Sequence, residues 1–381
     1  MAKGVYVGVG GVARKVKKIY VGVDGVARKV KRGYIGVGGV ARLFFSGGEL
    51  AYYGEATAGV YPFGTATSFN GNAIFAAGGR DSTNTVGNMC RYDNALTRTT
   101  MQLGSTAISP SSTSTSSYAM FCGSSKSGSA GFLKAFNSSY TASNVSTNQP
   151  NTSKFQSSAG TIKNSDMAVF WGGGNEYGWY QGIIFLVNNS LTSTSITNEA
   201  AQMCRGGGAG VSTKAIFAGG VYNPENNTTK YVFGIDASST ITKAATGLTA
   251  AVSYPGSCSF QDKAVFAGGM ASDNSGVSAY VAAYDASLTK TVLTNLSASR
   301  SALGATSLGD FMLFAGGARS GTASSLTNIC DVYDASFTRT TGTPLTFSGS
   351  YVSAATTTDY LLFGGGYGSS LSTKVCAYVV A

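Results

Sequence analysis

Hydrophobic positions along the chain cluster in one short run that keeps returning. It first reads Ala73-Ile74-Phe75-Ala76-Ala77-Gly78-Gly79, then Ala119-Met120-Phe121-Cys122-Gly123, then Ala168-Val169-Phe170-Trp171-Gly172-Gly173. It recurs over Ala215–Gly220, Ala264–Gly269, Met312–Gly317 and Leu361–Gly366. The central residues Phe75, Phe121, Phe170, Phe217, Phe266, Phe314 and Phe363 are 46, 49, 47, 49, 48 and 49 residues apart. A four- or five-residue apolar run closed by glycines reads as a buried strand. The paired glycines let the chain turn at positive φ, where a side chain would clash. Seven such strands at a period near 50 describe a repeat architecture.

Each repeat holds four strand candidates. Strand a is a small Ser/Thr/Ala-rich run, as in Thr65-Ala66-Thr67 and Gly304-Ala305-Thr306, and strand b is the Phe-Gly-Gly phrase. Strand c ends in Tyr92-Asp93, Tyr284-Asp285 or Tyr333-Asp334. Strand d follows a turn such as Ala95-Leu96-Thr97-Arg98, Leu288-Thr289-Lys290 or Phe337-Thr338-Arg339. The last repeat stops after strand c, at Tyr378-Val379-Val380-Ala381, and an unclaimed strand d stands before the first repeat, at Leu50–Thr57. The expectation is an all-β, seven-bladed β-propeller over 49–381, in which that early strand completes the seventh blade.

A smaller repeat precedes it. Tyr6, Tyr20 and Tyr34 are 14 residues apart, each followed by a Gly-Gly or Asp-Gly turn and a basic strand: Ala13-Arg14-Lys15, Ala27-Arg28-Lys29, Ala41-Arg42. Such dipeptides favour tight hairpins, so residues 1–45 should form three of them, joined by a Ser-Gly-Gly linker at 46–48. Hairpins this small are marginal alone. We expect a docking element ordered in an assembly, with Tyr6, Arg14, Lys15, Tyr20, Arg28, Lys29, Tyr34 and Arg42 as its contact residues.

Charge sharpens the division. The 381-residue chain carries +10, yet residues 1–42 hold ten basic side chains and one acid (+9), leaving 17 basic and 16 acidic (+1) for the other 339. A basic head on a near-neutral body is not the pattern of a uniformly basic nucleic-acid-binding protein, and nucleic-acid binding by the Lys/Arg clusters has weak support because no binding motif accompanies them. No run of about 18 apolar residues suggests a membrane span, and Met1-Ala2-Lys3-Gly4 opens no signal peptide, so synthesis in the cytosol is expected. The six cysteines show no CxxC spacing, and Cys90, Cys330 and Cys376 recur at one place in the repeat, which reads as a small apolar core residue.

The chain has no histidine, which removes Ser-His-Asp and Cys-His nucleophilic sites and His-ligated metals. Acids are sparse, and Asp93, Asp236, Asp285 and Asp334 are expected in the turns after strand c, so no catalytic residue, metal or cofactor is assigned. Gly206-Gly207-Gly208-Ala209-Gly210 lacks the Gly-Lys-Ser/Thr ending of a phosphate loop and is expected to be a connection from strand d to strand a. All b–c connections should share one face. Two of them carry aromatics beside amides and carboxylates, which suits sugar stacking or a protein hot spot. Glu176, Tyr177, Trp179, Tyr180, Tyr222 and Asn223 are therefore the expected binding residues.

The apolar-Gly-Gly phrase and the Tyr-Asp pair resemble those of kelch β-propellers over residues 49–381, without the Trp usual in strand d. The head, Tyr-Val-Gly-Val-Gly-Gly-Val-Ala-Arg-Lys-Val-Lys, resembles N-terminal repeats of tailed-bacteriophage and prophage structural proteins over about 42 residues. That resemblance implies a virion protein of the tail or baseplate, multicopy in a symmetric assembly and made in the bacterial host cytoplasm. Its partners would be other virion proteins and a host-surface glycan or protein. A purely structural scaffold, a glycan-active enzyme and an intracellular kelch adaptor are the alternatives.

Overall fold

The structure, a computed structural model, describes residues 6–9, 12–15, 19–23, 26–30, 32–37, 40–46, 50–57, 64–76, 78, 86–124, 131–146, 157–174, 182–222, 227–271, 276–320, 324–367 and 372–380. Among them there is no α-helix. The one helical turn is 3-10, Glu199–Ala201, where the Asn198 side chain accepts from the Ala200 N–H at 2.8 Å.

The repeats fold as small antiparallel sheets in the order a, b, c, d. One runs Ser158–Ile162, Met167–Trp171, Ile183–Val187, Ser193–Thr197. Three more begin with the inner strands Gly207–Gly210, Gly256–Phe260 and Gly304–Leu308. A fifth joins Ser353–Thr356, Tyr360–Gly364 and Val375–Val380 to Leu50–Ala56, which supplies its fourth strand. Its register sets Val375 opposite Ala56 and Val380 opposite Leu50. The architecture is β-propeller-like and all-β.

The first two repeats differ from expectation in one respect. Strand d of the first and strand a of the second are one 17-residue strand, Arg98–Ser114. Its first part pairs with Val86–Tyr92, and its last part with Ala119–Ser124. The register shifts between Ile108 and Ser111, where Ser109 sits at φ 40°. A bulge lets one strand serve two sheets without a connecting loop.

The core lies between successive sheets. The Phe of each b strand is buried and, in four repeats, meets the strand-c tyrosine edge to face: Phe75–Tyr92 at 5.8 Å, Phe266–Tyr284 at 6.2 Å, Phe314–Tyr333 at 5.8 Å and Phe363–Tyr378 at 5.9 Å. One cluster packs Ile216, Ala218 and Val232 of one sheet against Phe266, Ala282 and Tyr284 of the next. Full burial of each larger apolar side chain, such as Ile216, Val232 or Phe266, contributes about 1.5–3 kcal/mol. The tyrosine hydroxyls also reach across. Tyr284, Tyr333 and Tyr378 donate to the carbonyls of Thr246, Thr294 and Thr343, just beyond strand d of the preceding sheet, at 3.2, 2.7 and 2.9 Å.

The inner strands approach one another closely, and Ser353–Thr356 also touches Thr65–Phe69. This corrects the reading of the glycine-rich run: Gly207–Gly210 is strand a itself. A Cβ on Gly210 would lie 1.9 Å from the Thr161 carbonyl oxygen of the neighbouring inner strand, and one on Gly208 would lie 2.5 Å from that of Ala159. Only glycine fits where two backbones pass this close.

The acids after strand c act in turns. Asp93 Oδ1 accepts the N–H groups of Ala95 and Thr97 at 2.9 Å, and Asp334 Oδ1 those of Ser336 and Thr338 at 2.8 and 3.0 Å. Asp236 and Asp285 make the same turn, and Asn137 and Asn188 replace the acid in two repeats. A short polar side chain that satisfies its own backbone two residues on explains the Tyr-Asp pairing.

All six cysteines are buried and unbridged. Burial pushes the Cys258 thiol up to about 12 and that of Cys330 to about 11, so both remain thiols and pack as small apolar groups.

Ahead of the sheets lie three separate two-stranded hairpins: Tyr6–Val9 with Val12–Lys15, Ile19–Val23 with Val26–Val30, and Arg32–Val37 with Val40–Ser46. Tyr6 stands opposite Lys15 and Tyr20 opposite Lys29. All eight expected docking residues lie on these strands.

Candidate functional site

Strands in an antiparallel sheet alternate in direction, so the chain before strand a and the chain after strand b emerge on the same side. The bridges Ser253–Met270, Ser301–Ala318 and Ser350–Tyr367 join those two segments. The side expected to bind is therefore also the side on which every strand a begins.

A mouth opens there, between the starts of the inner strands. In five repeats the residue two places ahead of the regular pairing of strand a is left-handed: Ser109, Arg205, Tyr254, Ala302 and Tyr351, at φ 40°, 60°, 53°, 52° and 55°. Backbone bonds link the last four in sequence. Tyr254 N–H donates to the Arg205 carbonyl at 2.7 Å, Ala302 to Tyr254 at 2.9 Å, and Tyr351 to Ala302 at 2.7 Å. Each non-glycine residue held there costs about 1–2 kcal/mol. Since alanine and serine adopt the same conformation, the fold imposes it, and the side chain is what varies.

Three of the five carry large side chains. The Tyr254 and Tyr351 rings meet edge to face at 5.3 Å, across the small Ala302 between them in sequence order. The Arg205 guanidinium stands 5.6 Å from the Tyr254 ring centre. With Thr65, Ser109 and Ser157 they line a cavity of about 260 Å³. Burial, then the neighbouring Tyr351, drives the Tyr254 hydroxyl well above its ordinary pKa, and the Arg205 charge only partly opposes this. Tyr254 is therefore a neutral hydrogen-bonding phenol at physiological pH.

Further in, a larger cavity of about 490 Å³ is walled by the hydroxyls of the inner strands. Of these, Thr113 pairs with Thr161 across repeats at 2.6 Å, and Ser112 with Thr65 at 2.6 Å; nearer the mouth Ser111 pairs with Ser157 at 2.7 Å. Its lining includes Asp166, which accepts from the Ser116 N–H at 2.8 Å and from the Ser116 hydroxyl and the Asn189 amide. Burial raises its pKa, but those bonds outweigh burial and hold it below the usual carboxylate range. It is a bonded anion, not a proton donor. Among the described residues no three His, Cys, Asp or Glu side chains come together as a metal site.

Of the six expected binding residues, Glu176, Tyr177, Trp179, Tyr180 and Asn223 lie outside the described residues. Tyr222 is described. It sits on the short strand Val221–Tyr222, paired with Met203–Cys204 and Asn227–Thr228. Its ring meets Tyr231 at 5.8 Å and packs on the cluster of Trp171, Phe217 and Phe233. It does not line the mouth, whose residues Arg205, Tyr254 and Tyr351 went unread in the sequence. Their common place in the repeat, just ahead of strand a, was the available signal.

A second unread feature is a buried ion-pair network. Arg300, with no solvent exposure, pairs with Asp331 and donates to the Ile329 carbonyl at 2.6 Å. Asp331 also binds Arg339 at 3.0 Å and the Ser297 N–H at 3.1 Å. Burial lowers the Arg300 pKa and Asp331 opposes that. The network ties the connection that carries Ser297 and Arg300 to the strand Cys330–Asp334.

No family model matches the chain, and no curated protein matches it. Among solved structures, one described as "Structure of YjhT" is similar over 84% of this chain and 96% of that chain, with a TM-score of 0.54 and 13% identity. A likeness at that identity speaks to the fold alone, and it agrees with the β-propeller-like architecture of the four-stranded sheets.

Proposed function

We propose that the chain is a non-enzymatic structural and adhesion protein of a phage tail or baseplate. The hairpin head docks it to the particle, and the body is a seven-bladed propeller closed by Leu50–Ala56 that presents its strand-start face to a host-surface receptor. The pairing of Leu50–Ala56 with Val375–Val380 supports the closure, since it brings the two ends of the repeat array into one sheet. The observation that carries the functional reading is the separateness of the head. Among the described residues its three hairpins pair only within themselves, and the segment holds nearly all of the net charge. Marginal hairpins with a +9 charge have more to gain from an acidic partner surface than from isolation.

The test is assembly of particles carrying the chain without residues 1–46. The shortened protein should keep the unfolding midpoint of the propeller and be missing from purified particles. Normal incorporation would overturn the docking role.

A further inference from the structure

We infer that the mouth formed by Arg205, Tyr254 and Tyr351 is a carbohydrate pocket that takes one terminal hexopyranose ring of a surface glycan. The inference rests on the display reading above and names the ligand class for that face. One side of the mouth offers two tyrosine rings and a guanidinium, an apolar surface with polar tips. The other offers the hydroxyls of Thr65, Ser109 and Ser157. A hydroxyl can donate once and accept twice, so those already paired, such as Thr65 with Ser112, keep capacity for another bond. A pyranose has the matching make-up: axial C–H groups on one face, and rim hydroxyls that both give and take hydrogen bonds.

Size and side-chain choice point the same way. The mouth's space of about 260 Å³ continues past Thr65, Ser157 and Gly206 into an adjoining cavity of about 250 Å³, room for a ring or two of a glycan end. No carboxylate or thiol is among the described lining residues. Glycine or asparagine would sit more easily at φ 53° and 55°, yet tyrosine occupies both positions. Contact made by the rings, not the needs of the backbone, accounts for that choice. A single sugar binds weakly, and many displayed copies would turn weak sites into firm attachment.

The experiment is saturation-transfer NMR on the full-length protein, with the methyl glycosides of glucose, galactose, mannose and N-acetylglucosamine at millimolar concentration. At least one should receive saturation, and Arg205→Gly and Tyr351→Gly should each weaken its binding about tenfold. Glycine is at ease at these backbone angles, so both variants should keep the wild-type melting temperature. Should either melt early, Ser109→Ala, which removes one rim hydroxyl, must weaken the same signal. Absence of transfer to all four glycosides, or binding that the variants retain, overturns the pocket. Neither result bears on docking, which the particle experiment decides separately.

Discussion

The Tyr92 hydroxyl donates to the Thr57 carbonyl at 2.6 Å. Tyr92 belongs to the first repeat, and Thr57 directly follows Leu50–Ala56, the strand paired with Val375–Val380. The relation repeats the links from Tyr284, Tyr333 and Tyr378 to the end of the preceding strand d, with Leu50–Ala56 in that role. Tyr92→Phe should lower stability by about 1 kcal/mol, the net worth of one hydrogen bond. Amide exchange should show the loss concentrated in residues 50–57. An equal loss across all sheets would mean that the link does not hold this strand.

Gly210→Ala tests the close approach of the inner strands. Its Cβ would meet the Thr161 backbone, which cannot swing aside as a side chain could. A loss of about 3 kcal/mol in urea unfolding is expected. Gly276→Ala is the control, because nothing described lies within 4 Å of its Cβ. It should change stability by less than about 0.5 kcal/mol.

Asp331→Ala would strand the Arg300 guanidinium without its counter-charge in a site with no solvent exposure. Removing one partner of a buried pair costs about 3–5 kcal/mol. The double variant Arg300→Met with Asp331→Leu should be less damaging than Asp331→Ala alone. A double-mutant cycle in guanidinium measures the coupling, and strictly additive losses would refute it.

Stability should also fall in acid. Glu55 is held below its ordinary pKa, first by the Thr346 hydroxyl and then by Lys374 at 3.1 Å. A carboxylate depressed in the folded state adds stability above its unfolded value, near 4.3. That increment disappears as pH falls through the folded pKa. The pair is exposed and its contribution small. Glu55→Gln should flatten the decline in melting temperature below about pH 4 relative to wild type, and identical slopes would assign the acid loss elsewhere.

What could be read from the residues alone follows from how local each signal is. The Phe-Gly-Gly phrase, the Tyr-Asp turns and the three hairpins are each written within a dozen residues, and each stands where expected. Gly207–Gly210 misled because glycine weakens a strand by propensity. Its reason for being there is a neighbour some 50 residues earlier, Thr161. Arg300 and Asp331, 31 residues apart, become partners only when the connection that carries Arg300 packs on the strand Cys330–Asp334. Tyr254 and Tyr351 meet because Ala302, between them, is small, and no local pattern carries that information. The uninterrupted strand Arg98–Ser114 was hidden because its halves belong to different repeats.

The pairing of Leu50–Ala56 with Val375–Val380 sets the order in which the molecule can mature. Contacts over such a separation carry the largest loop-closure penalty and form late. During synthesis the early strand must wait, its edge open, until more than three hundred further residues have left the ribosome. The hairpins of residues 6–46 suffer no such delay, since every strand pairing described for them lies within 14 positions. What the basic head waits for is therefore its partner surface, and not the completion of the body behind it.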